Sequence, residues 1–328
     1  MESMDTKEKV LRALKETDGY LSGEVLSRQL GISRAAVWKA ISSLREVGCK
    51  IDSVTHRGYR LLGIPDLLTG EALLEGLEDT FVTRICAMKQ VDSTNNEAKR
   101  QAQLGAPAGS LFVAEEQTGG KGRLGRQWSS PSGTGLWCSL LLRPKAVPEQ
   151  VTGLTLLAGL AVARSIRALT GLNAQIKWPN DVVVEGRKLC GILTEMAAEM
   201  ESVEYVVVGV GINVNTQSFP EEIAKKATSL LLETGKSWLR VQVLRQFLLE
   251  TQALLGEWES QGTAALLPAY TADCVTIGRQ VSTHRGGRFL TGKAEGITDT
   301  GELLVRLADG SLETINSGEV SVQGVYGE

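Results

Sequence analysis

The 328-residue chain holds two histidines and five cysteines, and aromatic residues make up only 5% of it. Each shortage removes a class of chemistry. His56 and His284 are far apart in sequence, and neither can be grouped with a serine or cysteine, so a hydrolytic triad has little support. Cys49, Cys86, Cys138, Cys190 and Cys274 are odd in number, widely spaced and without a CxxC pair, which argues against a disulfide framework or a zinc cage and for buried free thiols. Long uncharged apolar runs are missing too. The longest candidate, Val151 to Leu169, is interrupted by Arg164 and Arg167, so no membrane span is expected. Met1 to Asp5 carry neither the basic nor the apolar part of a signal sequence, which makes the cytoplasm the expected compartment.

What is present describes a globular protein of two or three domains, with 42% hydrophobic and 22% charged residues in a chain longer than one core usually fills. The net charge of −3 is unevenly spread. Between Tyr20 and Gly63 there are seven Lys or Arg against three acids, a local +4 on a remainder of −7. A basic surface on an acidic chain points to a nucleic-acid-binding module joined to something else.

The pattern of that module is specific. Residues 7 to 16 repeat Val10, Leu11 and Leu14 on one helical face, and a second helix capped by Ser22 carries Val25, Leu26 and Leu30 before Gly31 ends it. In a third, Ser33 is the N-cap, Val37, Ile41 and Leu44 form the buried stripe, and Arg34, Ala35, Trp38, Lys39 and Ser42 face outward. Two helices around a tight glycine turn fit a helix-turn-helix, with the third element as the helix that enters the major groove. After Gly48, alternating Ile51, Val54 and Tyr59 about a His56-Arg57-Gly58 turn predict a hairpin wing whose Arg57 and Arg60 meet phosphate or minor groove. Gly63-Ile64-Pro65 is the expected linker, followed by a short helix over residues 66 to 77.

Further along, Gln117-Thr118-Gly119-Gly120-Lys121-Gly122-Arg123-Leu124-Gly125-Arg126-Gln127-Trp128 crowds four glycines and three cations into a loop between apolar strands. Glycine lets backbone N–H groups approach a phosphate, the cations neutralise it, and the terminal indole can stack on a heteroaromatic base. Strands are predicted near residues 111–116, 136–142, 175–178, 181–184, 189–196 and 205–210, with long helices over 151–169 and 241–258. Hairpins with few intervening helices argue for a mixed or antiparallel α+β sheet. From about Thr271, short strands separated by Arg285-Gly286-Gly287, Asp299-Thr300-Gly301 and Asp309-Gly310 read as an SH3-like β-barrel.

Taken with Asp92-Ser93-Thr94-Asn95, Lys177-Trp178-Pro179-Asn180-Asp181, Arg187-Lys188-Leu189-Cys190-Gly191 and Gly209-Val210-Gly211-Ile212-Asn213, the glycine loop resembles the catalytic domain of the biotin protein ligases. The basic N-terminal module makes the whole chain similar to the bifunctional bacterial form, a ligase fused to a biotin operon repressor. The resemblance implies a winged helix-turn-helix over 1–63, a central mixed sheet with helices on one side over 64–270, related to lipoate ligases and class II aminoacyl-tRNA synthetases, and the small β-barrel over 271–328.

It also implies an activity. Biotin and ATP, with Mg2+, would give biotinyl-5′-AMP, and biotin would pass to a lysine of the biotin carboxyl carrier protein of acetyl-CoA carboxylase and of other biotin-dependent carboxylases. By the same resemblance Lys188 bridges the biotin carboxylate and the α-phosphate, and Arg123 and Arg126 clamp phosphate and intermediate. Ser93, Thr94, Asn95, Gln117, Gly120, Lys121 and Gly122 surround biotin. Trp128 packs on adenine and Asn213 binds its amine. Asp181 is either a Mg2+ ligand, a group orienting the accepting lysine, or a turn residue. A homodimer on operator DNA is implied, with no membrane association. Two other readings, a non-catalytic biotin-sensing repressor and a lipoate ligase, share the architecture; retention of Lys188, Arg123 and Asp181 speaks against the first, and the glycine loop with its fused DNA module against the second.

Overall fold

Helical spacing in the first part of the chain is realised as α1 (Thr6–Lys15), α2 (Gly23–Leu30) and α3 (Arg34–Glu46), followed by a hairpin of β1 (Lys50–Val54) and β2 (Gly58–Gly63). These elements belong to a computed structural model that describes residues 5–46, 48–74, 76–77, 80–199, 202–285, 288–316 and 318–327. Local signals act as the sequence predicts. Ser22 Oγ accepts from the Val25 N–H at 3.1 Å and Gly31 closes α2 in the left-handed region, while Ser33 Oγ accepts from the Ala36 N–H at 3.1 Å and starts α3. Val10, Leu14, Leu26, Val37, Ile41, Leu44 and Ile51 pack into one small core. Leu21 exchanges two backbone hydrogen bonds with Tyr59, at 2.8 and 2.9 Å, so a third strand-like segment braces the wing. At Gly58 the chain has φ of +102°, and a Cβ there would lie 2.2 Å from the Leu21 carbonyl oxygen. Only glycine fits.

The chain divides after Asp66, just beyond the expected linker, and residues from Leu67 onward form the second unit. Its helices are α4 (Gly70–Leu74), α5 (Thr94–Gln103), α6 (Thr152–Thr170), α7 (Glu221–Ala224), α8 (Leu230–Thr234), α9 (Arg240–Gln261) and α10 (Leu267–Asp273). The helix expected over 66–77 shrinks to α4 because the Leu68 N–H donates instead to Glu115 Oε1, at 2.8 Å, which ties the preceding residues to the sheet. That sheet has seven strands: β3 (Arg84–Val91), β4 (Ser110–Gln117), β5 (Gly135–Leu142), β6 (Gln175–Lys177), β7 (Asp181–Val184), β8 (Arg187–Glu199) and β9 (Ser202–Asn213). Their order is β3-β4-β5-β9-β8-β7-β6, with β3 and β4 parallel and every other pair antiparallel.

The parallel pair explains the main departure from expectation. Parallel neighbours need a crossover, and α5 supplies it. Along β5, Leu136, Cys138 and Leu140 enter the core shared with α6 and α9, whereas Leu141 packs with Ala98 and Ala102 of α5 and with Phe112 and Val207. Helices therefore cover both faces of the sheet, not one, and α5 covers only part of its face. The uncovered remainder is where the site lies.

Residues 148–170, which hold the longest apolar run despite Arg164 and Arg167, form a helical segment long and apolar enough by composition to cross a membrane, but most of it is buried inside the fold. Downstream, β10 (Gln280–Arg285), β11 (Arg288–Ile297), β12 (Leu303–Leu307), β13 (Leu312–Ile315) and β14 (Val320–Val322) make a five-stranded antiparallel sheet of order β13-β12-β11-β10-β14. The Gly286-Gly287 hairpin tip lies outside the described residues. Val281, Leu303, Val305 and Val322 join the same core as the seven-stranded sheet, and the Trp178 indole N–H donates to the Gly301 carbonyl at 2.9 Å.

Gly58→Ala should unlatch the wing, because the added Cβ has no room and the residue no comfortable conformation. Hydrogen exchange should show the Leu21 and Tyr59 amides losing at least about tenfold protection, roughly 1.4 kcal/mol of local opening energy, while amides of β9 keep theirs. Unchanged protection at Leu21 would mean the latch does not hold the wing.

Candidate functional site

Alternation along β9 sets the site's floor. Val208, Val210 and Ile212 point into the core, so Gly209 and Gly211 lie on the opposite face, and Gly191 of β8 stands directly opposite Gly211. Three missing side chains leave a hollow. A Cβ at Gly209 would lie 2.1 Å from Asn95 Oδ1, one at Gly211 2.7 Å from Trp128 Nε1, and one at Gly191 2.9 Å from the Trp128 ring. The indole of Trp128 thus rests on Gly191 and Gly211 and meets Trp137 edge to face, at a centroid distance of 6.4 Å and 74° between planes.

Around this floor a cleft of about 470 Å³ is lined by Ser93, Thr94, Asn95, Gln117, Lys121, Gly122, Arg123, Trp128, Lys188 and the glycines, with Cys138, Asn180 and the 192–193 and 210 positions completing it. The structure thereby brings together nine of the residues singled out from sequence. It does not bring Gly120, Arg126, Asp181 or Asn213 into the lining: the Gly120 carbonyl accepts from the Trp128 N–H, Arg126 pairs with Glu319, Asp181 lies behind Lys188 and pairs with it, and Asn213 donates its amide to the Thr228 carbonyl at 3.0 Å.

The polar groups at the α5 end of the cleft are already matched to one another. The Thr94 N–H and hydroxyl both donate to Gln117 Oε1, at 2.8 and 3.1 Å, and Gln117 Nε2 donates to Ser130 Oγ at 2.7 Å. Asn95 donates to Leu193 O and Glu195 Oε2, and Ser139 Oγ lies within hydrogen-bond distance of both Thr94 and Asn95. Burial works against charge on Glu195, but donation from Lys99 and Asn95 outweighs it and holds the carboxyl below its usual range. Arg100, with help from Asn96, likewise holds Asp92 well below the carboxylate range. Asn96 in turn accepts from Lys121 Nζ at 2.9 Å, which ties the glycine loop to α5.

At the other end stand the cations. Lys188 Nζ is 2.7 Å from Asp181 Oδ1 and 5.3 Å from the Trp128 ring centroid, and Tyr326 donates its hydroxyl to Asp181 Oδ2 at 2.6 Å. Arg123 donates to Asn180 Oδ1 at 3.0 Å; burial pulls its guanidinium below the usual value, opposed by the carboxylates of Asp181 and Glu319. Cys138 is pushed up to about 12 by complete burial. It is therefore a thiol in the core beneath the floor, not a nucleophile. Among the described residues no three His, Cys, Asp or Glu side chains converge on a point that could hold a metal ion.

Sequence reasoning passed over Ser130, Ser139, Glu195 and Tyr326, and gave Asn180 a place in a motif but no role at the cleft. Ser139 carried a signal, being a hydroxyl inside the otherwise apolar strand 135–142, and the Val-Gly-Val-Gly-Ile alternation marked a cleared face. Nothing local marks Tyr326. In the N-terminal unit, Ser33, Arg34, Ala35, Trp38, Lys39, Arg57 and Arg60 are all exposed, with Trp38 64% accessible, and Arg34 pairs with Glu24 on the surface. An ion pair so exposed is weak and opens easily to another anion.

Comparison with known proteins agrees with this geometry. The Biotin/lipoate A/B protein ligase family matches residues 87–213, an HTH domain residues 6–60, and the Biotin protein ligase C terminal domain residues 276–323. The bifunctional ligase/repressor BirA of Bacillus subtilis is 37% identical over 306 residues, 92% of this chain and 94% of the relative; that of Escherichia coli is 32% identical over 314 residues, 95% and 96%. Among solved structures, the biotin protein ligase from Aquifex aeolicus in complex with biotin and ATP superposes with a TM-score of 0.64 at 33% identity, covering 74% of this chain and 99% of that one. Similarity of this extent, across both the basic module and the glycine-floored cleft, makes the chain a member of the bifunctional biotin ligase/repressor family.

Proposed function

We propose that the chain activates biotin with ATP, transfers it to a lysine of the biotin carboxyl carrier protein of acetyl-CoA carboxylase, and represses biotin synthesis genes by binding their operator. The observation that carries the ligase half is the convergence of Lys121, Arg123, Lys188 and Trp128 with the matched Thr94–Gln117 amide pair in one glycine-floored cleft. In the first step an oxygen of the biotin carboxylate attacks the α-phosphorus, the bond from that phosphorus to the bridging oxygen breaks, and pyrophosphate leaves. Two anions meet, so a cation fixed between them lowers the barrier. Lys188 is that cation. In the second step the carrier lysine's amine attacks the acyl carbon of the mixed anhydride, AMP leaves, and the amine loses a proton as the amide forms.

Other roles follow from position. Arg123 retains the phosphate, Trp128 offers its face to adenine, and Ser93, Thr94, Gln117 and the backbone near Gly122 surround the biotin ring. The buried amide and hydroxyl groups hold one another in fixed directions, so they favour a ligand whose polar atoms match those directions. ATP enters as its magnesium complex. Asp181, the carboxylate paired with Lys188, is engaged at both oxygens, which suits an ion held by phosphates and water more than by a protein cage. Five free cysteines fit action in the cytoplasm. On DNA the chain acts as a homodimer, because one small module makes few contacts and a two-fold operator needs two.

Lys188→Ala should lower biotin-dependent ATP–pyrophosphate exchange by about 100- to 1000-fold, the effect of removing one preorganised charge-stabilising group. Biotin binding should weaken less. Lipoate in place of biotin should support no exchange in the native protein; exchange with lipoate alone would replace the biotin reading with a lipoate one.

Gly211→Ala should lift the Trp128 indole from its seat. Affinity for the adenylate is expected to fall at least about tenfold, as one lost stacking contact of roughly 1.4 kcal/mol would give, with a shifted tryptophan emission spectrum. Normal affinity with unshifted emission would remove Trp128 from the nucleotide site.

The repressor half is tested by mobility shift on the promoter of the biotin synthesis genes. Affinity should rise with biotin plus ATP, fall steeply with salt, and depend on protein concentration as a dimer does. Arg34→Ala should relax base preference, whereas Arg57→Ala should weaken binding to all sequences alike. Equal affinity with and without the ligands would leave a ligase that does not sense biotin at the operator.

A further inference from the structure

We propose that Tyr326, beyond the last strand of the C-terminal sheet, is a positioning residue for adenylation: it holds one oxygen of Asp181 so that the other stays on the Lys188 ammonium. This rests on the ligase reading above. The contacts form a chain. Tyr326 donates its hydroxyl to Asp181 Oδ2 at 2.6 Å, and Asp181 Oδ1 is 2.7 Å from Lys188 Nζ. The Tyr326 N–H donates to the carbonyl of Gly186 at 2.8 Å, in the turn that joins β7, which begins with Asp181, to β8, which carries Lys188. Lys177 Nζ sits 4.9 Å from the Tyr326 ring centroid.

Two further facts say that this placement is imposed. Tyr326 has φ of +62°, a left-handed conformation that a bulky residue adopts only where its surroundings require it. A Cβ at Gly186 would lie 3.1 Å from the Gly324 carbonyl, so the turn and the 324–326 segment are in close contact. Tyr326 does not line the cleft itself. Its action on the reaction has to pass through Asp181.

A carboxylate alone beside an ammonium can turn, chelate it with both oxygens, or swing away. With Oδ2 committed to the phenol, Asp181 offers Lys188 a single oxygen from a fixed direction, leaving the ammonium's other donors for the cleft. A reacting-site group displaced by about an ångström loses on the order of 100-fold in rate. The C-terminal sheet would thereby contribute to chemistry that takes place on the seven-stranded sheet, by setting where one cation points.

The test uses the full-length chain and Tyr326→Phe, which keeps the ring over Lys177 and the backbone contact and removes only the hydroxyl. Pyrophosphate exchange, normalised to the adenylate burst so that only folded molecules count, should show kcat lowered about tenfold, with KM for biotin and ATP within about twofold. In an Asp181→Asn background the same change should alter kcat less than about twofold, because the group it acts through is already altered. Undiminished kcat in Tyr326→Phe, a change confined to KM, or an equal tenfold loss in both backgrounds would each overturn the assignment. A native chain without biotin-dependent exchange would overturn the ligase reading and this assignment with it; the other outcomes leave that reading standing.

Discussion

A sheet packed hard on one face must be nearly bare on the other if it is to hold a ligand there, and the site is built on that asymmetry. One face of β8 and β9 is filled by Val208, Val210, Ile212 and Ile192 against α6 and α9, while Gly191, Gly209 and Gly211 clear the other. Alternation along a strand allows both at once. Everything at the cleft then depends on the clearing. Trp128 takes the space over Gly191 and Gly211, the Asn95 amide takes that over Gly209, and the ammonium of Lys188 comes to lie near the indole face. A methyl group at any of the three positions would collide with what now occupies the hollow.

The polar layer above this floor is preorganised by being internally satisfied. Asn95 commits its side chain to Leu193, Glu195 and Ser139, which anchors the start of α5 to the sheet. Gln117 is fixed from both sides by Thr94 and Ser130. Such groups lose little conformational freedom when a ligand arrives, so more of the contact energy appears as affinity. The glycine loop is tied to α5 through Lys121 and Asn96, while Arg126 makes only an exposed pair with Glu319, just before β14.

How much of this was legible in the sequence depends on whether a residue's partners are local. The caps at Ser22 and Ser33, the wing turn at Gly58 and the long helices were readable because their signals are a few residues wide. β3 and α5 escaped notice: the apolar residues of β3 run together from Ile85 to Met88 without alternating and none is fully buried, and α5 buries only Thr94, Asn95 and alanines, so neither displays an apolar stripe. Missing them hid the crossover, and with it the second covered face of the sheet. Motif residues such as Lys188 and Arg123 were found by their neighbours in sequence. Tyr326 touches Asp181 across 145 residues and has no motif of its own, so only the fold could bring it forward.

The ion pair of Lys188 with Asp181 also bears on how a cation can wait in such a place. An ammonium partly shut away from water is costly unless a counter-charge stands by, and Asp181, itself largely buried, provides one. A permanent tight pair would be as unhelpful as none, because the ammonium would then be spent. Several features weaken the hold. Lys188 retains side-chain exposure of 28%, Asp181 shares its charge with the Tyr326 hydroxyl, and Arg123 stands close enough to feel the same carboxylate. A bound carboxylate and phosphate together carry more negative charge than Asp181 does, and they approach the ammonium from the open side. The pair can therefore keep Lys188 aimed while the cleft is empty, yet yield most of its field to the reacting anions once they arrive.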